Sequence, residues 1–383
     1  VAAARLPAHS APRALTHTRL TDTPEARMLE FEHDTLAQRV LFGAGKAASN
    51  LAAEVGRLGA TSVMVIAGPA ETELATSVCS EIEPRLMYSE VVQHVPIETA
   101  EKARAAAREH EVDLLVSVGG GSTTGLAKAV ALTSGIPIVA IPTTYAGSEA
   151  TNVWGLTEAS RKTTGVDARV LPTTVIYDVL SLLTLPVELS VASGLNALAH
   201  SVDSMWAPRA DPINSTLAVE AITALSSGLR DIKRDSASQS GHEQTLYGAY
   251  LSAVAFASAG SGLHHKICHV LGGTYNMPHA QTHAIVLPHV LEYNAPYAPA
   301  AEQRIAAAFG TSTAVEGLWS LRTELEAPTA LRDYGLKESD LEEAVALVLE
   351  AAPASNPRPV TAESLMVLLR NAWAGTTSEN EDR

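Results

Sequence analysis

Cysteine is nearly absent: Cys79 and Cys268 are the two in 383 residues. They form no CxxC pair and no disulfide framework, which suits a reducing cytoplasm in which each is a small buried apolar residue. Basic charge is also scarce, with 27 Lys and Arg against 42 Asp and Glu and a formal net charge of −15. Such a surface repels nucleic acid and anionic bilayers, although a pocket can still be locally positive. No apolar run has the look of a membrane span. The most apolar stretch, Leu246–Leu263, is rich in Gly and Ser and leads into histidines, the pattern of a helix buried in the interior. The first 27 residues lack the continuous apolar core of a secretory signal and read as a disordered leader, with Met28 a candidate start of the functional chain. Missing too is the GxGxxG fingerprint of dinucleotide loops. The first strand candidate ends "VIAGPAETE" with no acidic residue at its tip to hold a ribose 2′-hydroxyl. Discrimination between NADH and NADPH is therefore expected to be weak, unless Glu71 or Glu73 reaches back.

What is present falls into two parts, as the length allows. Short Val- and Ile-rich runs at 62–68, 113–120, 136–144 and 173–178 read as strands. Helical patterns at 46–59, 99–110 and 123–134 lie between them. Strand, helix and strand in succession mean crossover units and a parallel sheet covered on both faces. From about residue 186 Ala, Leu, Glu and His dominate and β-branched runs thin out. The reading is an α/β dinucleotide-binding domain over 28–185 and an all-α catalytic domain over 186–383, with Pro186 at the seam. "APASNPRP" (352–359) is a loop between late helices, and the tail after Gly375 is polar and frayed.

"VSVGGGSTTG" (116–125) follows a strand and opens a helix, so Gly119, Gly120, Gly121, Ser122 and Thr123 form a turn whose backbone can approach a phosphate closely. "IPTTYAGSE" (141–149) brings Thr143, Thr144, Tyr145 and Ser148 to the carboxyl edge of the same sheet, where ligands of open parallel sheets bind. Two such strand ends together favour a nucleotide over mere helix capping.

The second part concentrates imidazoles. Six of the 13 histidines, His264, His265, His269, His279, His283 and His289, fall within 262–289. His265 and His269 are four apart and share a helical face, and "NMP" lets the chain turn back so that His279 joins them. "SGLNALAHSVD" (193–203) adds His200, four residues after Asn196. His283 and His289 are expected only to pack or to face solvent.

The combination "GGGSTTGLAKA", "PTTYAGSE", "LTEASRKTTG", "SGLNALAHSVD" and "GLHHKICHVLGGTYNMPHAQTHAIVLPHVLEYNAP" resembles the iron-containing alcohol dehydrogenase family from about Phe31 to Gly375, and within it the maleylacetate reductase branch. The resemblance implies a dehydroquinate-synthase-like architecture with the active site between the two parts. In metal-dependent members an Asp and three His hold Fe²⁺ or Zn²⁺, and those positions correspond to Asn196, His200, His265 and His279, with His269 as an additional active-site histidine. Lys162 matches a family lysine near the cofactor. The departures are Asn196 for Asp and Gly125 where relatives carry an Asp beside the nicotinamide ribose.

Replacing Asp by Asn removes a full charge and weakens metal retention. The expectation is therefore an NADH- or NADPH-dependent reductase that requires no metal and adds hydride to the C=C of maleylacetate to give 3-oxoadipate. Hydrogen-bond donors or a cationic histidine would steady the developing enolate. His269 and His279 are the candidate acid and electrostatic pair. Arg161, Lys266 and Arg358 are further cations, each with solvated charge as its plain alternative. The rival readings are a metal-dependent alcohol or polyol dehydrogenase with Asn196, His200, His265 and His279 as ligands, and a cyclising lyase of the same fold. A small dicarboxylate as substrate, a cytoplasmic location and a homodimer complete the expectations.

Overall fold

A computed structural model of the protein describes residues 29–158 and 161–376. The leader at 1–27 and nearly all of the polar tail therefore lie outside the described residues. The described residues from His33 onward form one compact unit.

Its first half is built on the strands β1 (Arg39–Phe42), β2 (Val63–Ile66), β3 (Leu86–Tyr88), β4 (Leu114–Gly119), β5 (Ile138–Pro142) and β8 (Thr174–Tyr177). They form one sheet in the order β1-β8-β5-β4-β2-β3, with every pairing parallel. The helices α1 (Ala47–Leu58), α2 (Thr72–Val78), α3 (Ile97–Glu109) and α4 (Gly121–Ser134) supply the crossovers. Alternate residues serve opposite faces. Val63, Val65, Leu114 and Val116 pack with Leu51 and Ala75 of α1 and α2, whereas Met64, Ile66 and Leu115 pack with Ala103 and Leu126 of α3 and α4. A sheet covered on both sides has no solvent face, so its central strands are continuous apolar runs.

All four expected strands are present. β1 and β3 escaped the pattern because they are three or four residues long and only partly buried. A hairpin of β6 (Val153–Glu158) and β7 (Arg161–Val166) was also unforeseen. β6 (VWGLTE) is only partly buried and interrupted by Gly155, and β7 (RKTTGV) is mostly polar in sequence, so neither shows the unbroken apolar run of a central strand.

The second half is helical: α5 (Val187–Ser204), α6 (Pro212–Arg234), α7 (Gln239–Ala259), α8 (Leu263–Tyr275), α9 (His279–Asn294), α10 (Pro299–Phe309), α11 (Ala314–Glu324), α12 (Leu341–Ala351) and α13 (Ala362–Ala374). Pro186 caps α5, which is buried continuously from Ser190 to Ser204 and forms the axis of this half. Two apolar clusters surround it, one shared by α5, α6, α7, α10 and α11, the other by α8, α12 and α13, with α9 in both. The stretch read as one helix over 246–263 is interrupted: α7 ends at Gly260, whose φ is 85°, and α8 begins after Gly262. That break turns the chain so that α8 presents its histidines to α5. No helix among the described residues is long and apolar enough to cross a membrane.

Candidate active site

The carboxyl ends of β4 and β5 lie side by side, with Gly119 in register with Pro142 and the Thr143 N–H donating to the Gly119 carbonyl at 3.2 Å. Gly119 has φ 152°, and a Cβ there would lie 2.4 Å from Thr123 Oγ1, so a side chain is excluded. The turn delivers the N-terminus of α4 to a cleft of about 300 Å³, where Gly121 and Ser122 form part of the wall. The β5 loop alternates. Thr144, Ala146 and Ser148 face the cleft, while Thr143 and Tyr145 turn inward. Tyr145 is fully buried and its hydroxyl meets His242 Nδ1 on α7, so it shapes the loop from beneath. Gly147, at φ 76°, lets the loop approach the helical half: a Cβ there would lie 3.3 Å from His200 Cε1. Gly120, Thr123 and Thr143 support this wall without lining it.

The opposite wall is built from α5, α7, α8 and α9. Asn196 and His200 share a face of α5, and His265, His269, His279 and His283 join them along with Phe256. The His200 and His265 rings stack at 4.9 Å, and Phe256 lies 4.8 Å and 4.2 Å from them. His269 is 6.1 Å from His265, ring to ring. His283 contradicts the expectation that it only packs. It is one turn along α9 from His279, with rings 4.5 Å apart, and it faces the cleft. His289 does pack, edge-on to Trp319 at 5.9 Å.

Two residues to which the sequence reading gave no role hold these rings. Asp203, one turn beyond His200, accepts from His265 Nδ1 at 2.7 Å and from the Gly262 N–H at 2.8 Å, so it both orients the imidazole and caps α8. His264 Nε2 lies 2.9 Å from His283 Nδ1. Burial pushes the Asp203 carboxyl up and His265 down, so the pair shares one proton instead of forming two full charges. Burial also takes His200 down to about 4 and His283 well below its ordinary range. These imidazoles are neutral near pH 7, so the expected cationic histidine is not His200 or His265.

Lys128 of α4 was also missed, although it lies in the quoted motif. Its buried ammonium donates to the Thr151 and Val153 carbonyls at 2.8 Å, which fastens the start of β6 to α4, and burial pushes it down to about 7. The side chains of Arg161 and Lys162 lie outside the described residues. Lys266 is half-buried and does not line the cleft, and Arg358 stacks on Tyr293 at 4.3 Å, with no part in the cleft wall.

Several cleft atoms are buried without a partner: both amide atoms of Asn196, Nδ1 of His200, Nε2 of His265 and Nε2 of His283. Buried polar atoms are normally satisfied, and a wall of neutral imidazoles with tethered outer nitrogens is what a divalent cation binds. Among the described residues, one nitrogen from each of His264, His265 and His283 falls within 4.8 Å of the others.

The chain matches the family model described as iron-containing alcohol dehydrogenase over residues 37–179, and the C-terminal model of the same family over 190–373. It is 44% identical to the maleylacetate reductase of Delftia acidovorans over 91% of this chain and 99% of that one, and 42% identical to that of Sphingobium indicum over 91% and 98%. Among solved structures, an iron-containing alcohol dehydrogenase from Corynebacterium glutamicum is 63% identical with a TM-score of 0.89, covering 90% of this chain and 97% of its own. A maleylacetate reductase from a Rhizobium species is 38% identical with a TM-score of 0.85, covering 91% and 99%. The family matches overturn the expectation that no metal is required: they indicate iron or another metal cofactor. The partnerless, neutral donors of the cleft fit one.

Proposed function

Because the chain belongs to the iron-containing alcohol dehydrogenase family, we propose that it reduces the carbon–carbon double bond of maleylacetate with NADH or NADPH, giving 3-oxoadipate. The observation that carries this reading is the likeness to curated maleylacetate reductases across 91% of this chain and 98–99% of theirs. The cofactor's phosphates belong on the turn from Gly119 to Thr123 and the first N–H groups of α4. Thr144 and Ser148 complete that side, with Thr143 and Tyr145 supporting the loop from beneath and Lys162 assigned to the nucleotide.

Hydride enters at the alkene carbon remote from the ketone, charge moves onto the ketone oxygen, and a proton reaches the adjacent carbon. His269 is the acid at that end of the cleft, and His279, its expected partner, serves there through the cation it would help to hold. His200, His265 and His279 would hold the cation, with Asn196 as the fourth donor in the family pattern. When bound, such a cation acts as a Lewis acid toward a carbonyl oxygen. Among the described residues, Lys128 is the Lys or Arg of the cleft, and its ammonium is taken up by protein oxygens. The described part of the wall therefore offers a dicarboxylate imidazole and amide donors around the cation. Phe256 and Trp154 give the cleft apolar wall.

Freshly prepared maleylacetate should drive NADH or NADPH oxidation. Exhaustive chelation should cost about a hundredfold or more in kcat/KM, restored by Fe²⁺ or Zn²⁺, since a Lewis acid contributes several kcal/mol. The 63% identity to a structure described as an iron-containing alcohol dehydrogenase supports a second reading, oxidation of an alcohol or polyol at the same metal. Turnover of simple alcohols with none of maleylacetate would select it. The homodimer and the cytoplasmic location belong to the same proposal, and sedimentation checks the first.

A further inference from the structure

The cleft has a third side that neither wall accounts for. Gln93, His94 and Val95, between β3 and α3, line it beside Gly125 of α4, together with Trp154 and Thr164 of the β6–β7 hairpin. His94 has φ 62° and Val95 φ 48°, two successive left-handed residues of which neither is glycine. A β-branched residue in that region is strained, and such strain collects at ligand sites. The turn is held from outside itself. The Thr157 hydroxyl donates to the His94 carbonyl at 2.8 Å, and the Thr157 N–H donates to the Val95 carbonyl at 3.1 Å. Val95 is buried against Gly125, where a Cβ would lie 3.0 Å from Val95 Cγ2, so a larger residue on α4 would press the turn outward. The result is a half-buried imidazole that reaches across to the helical half. A Cβ at Gly272, one turn beyond His269 on α8, would lie 3.9 Å from His94 Cε1.

We propose that His94 is a specificity-determining residue that receives one of the two carboxylates of the substrate. This rests on the proposed reduction of maleylacetate and names a residue that tells a dicarboxylate from other enones. The nucleotide takes the turn after β4, and a cation on the helical wall takes the carbonyl oxygen. An extended molecule with a carboxylate at each end then leaves charge for the side of the cleft that remains. Among the described residues, Lys128 is the Lys or Arg that lines the cleft, and it gives its N–H groups to Thr151 and Val153. His94 is the cleft histidine that stands outside α5, α8 and α9. A ring N–H donates to a carboxylate as a charge-assisted hydrogen bond, stronger than one between neutral groups. Histidine is also among the few residues besides glycine that accept a left-handed backbone, so position 94 can present an imidazole from this turn.

The test compares His94→Asn with His94→Asp in the full-length protein at saturating NADH. Asn and Asp both tolerate a left-handed backbone and have nearly the same volume, so they share any effect on the turn and differ in charge. His94→Asn should raise KM for maleylacetate about tenfold, the cost of one hydrogen bond to a charged group, with kcat within about threefold of the parent. His94→Asp should raise KM by about a further tenfold or more, because it sets a carboxylate against a carboxylate. NADH affinity by fluorescence titration should stay unchanged in both. A readout that needs no variant to fold is modification by diethyl pyrocarbonate, followed by peptide mass spectrometry. With NAD⁺ bound, 3-oxoadipate should protect His94 in the unaltered protein. Equal KM in the two variants, an unmoved KM in His94→Asn, a loss of NADH affinity matching the change in KM, or a His94 that 3-oxoadipate leaves unprotected would each overturn the assignment. No turnover of maleylacetate by the parent would remove the reading beneath it, whereas an active parent with indifferent variants removes this inference alone.

Discussion

Gly119 and His265 stand on opposite walls of one cleft and owe their positions to different physics. The sheet wall works with backbone: a positive φ, two adjacent strand ends and the first turn of a 14-residue helix. The helical wall works with side chains, buried and polar, each held by another such as Asp203 or His264. A backbone site tolerates many side-chain changes but not a Cβ in the wrong place. A side-chain site tolerates backbone drift but not the loss of an orienting partner.

Asp203→Asn should have the largest effect. Both bonds fall on one oxygen, Oδ2, so an amide oxygen there still accepts from the Gly262 N–H and the His265 ring, but as a neutral and weaker acceptor than a carboxylate. Metal affinity should fall about 10–100-fold, measured by chelator competition, with turnover falling in step. Equal affinity in the variant would break the claim that the helical wall depends on paired side chains. Gly119→Ala probes the other wall. Its Cβ would meet Thr123 Oγ1 at 2.4 Å on a backbone at φ 152°, a strain of about 1–3 kcal/mol. NADH affinity should drop about tenfold by fluorescence titration while metal content stays unchanged.

The same contrast decides what could be read in advance. β2, β4, β5 and β8 were legible because burial on both faces leaves an unbroken apolar run. The turn at Gly119–Thr123 was legible because Gly119, which opens it at φ 152°, excludes a side chain. Histidine density announced the other wall, but spacing along a helix shows which residues share a face and not what meets them from the next helix. Asp203 and His264 were in the quoted motifs without roles for that reason, and His283 was set aside as packing. Tyr145 shows the converse. Its motif placed it at the sheet edge, yet one step along an extended loop turns Thr144 to the cleft and Tyr145 to His242.

The two walls should also differ toward acid. His289 is buried beside Trp319 and Arg322, outside the cleft, and burial pushes it from 6.5 to about 3. The folded protein keeps it neutral while the unfolded chain binds a proton below 6.5. Its contribution to stability is therefore fully present above that pH and is lost as pH falls toward 3, up to a few kcal/mol. His200, His264, His265 and His283 are shifted the same way, all in the helical half. Urea unfolding between pH 6 and 4 should show stability falling steeply, and His289→Leu should remove about one proton from that slope. An unchanged slope would place the acid lability elsewhere.

The smallest effect is expected at the tip of β2. Gly68 offers no acidic side chain of its own, which argued for indifference between NADH and NADPH. In the structure Glu71, from the turn that follows, folds back over Gly68 so closely that a Cβ there would lie 2.7 Å from Glu71 Oε2. A carboxylate therefore stands beside the strand end after all, where it can accept from a ribose 2′-hydroxyl and repel a 2′-phosphate. On the wall that otherwise works with backbone, this is a side-chain contribution, and it is partly exposed to water, so its effect is screened. Glu71→Gln should keep the hydrogen bond and lose the repulsion. NADPH KM should then improve several-fold, about 1 kcal/mol at most, while NADH KM stays nearly unchanged and the difference shrinks as salt is raised. Equal shifts for both cofactors would mean that Glu71 only shapes the turn, and the sheet wall would then be a backbone site throughout.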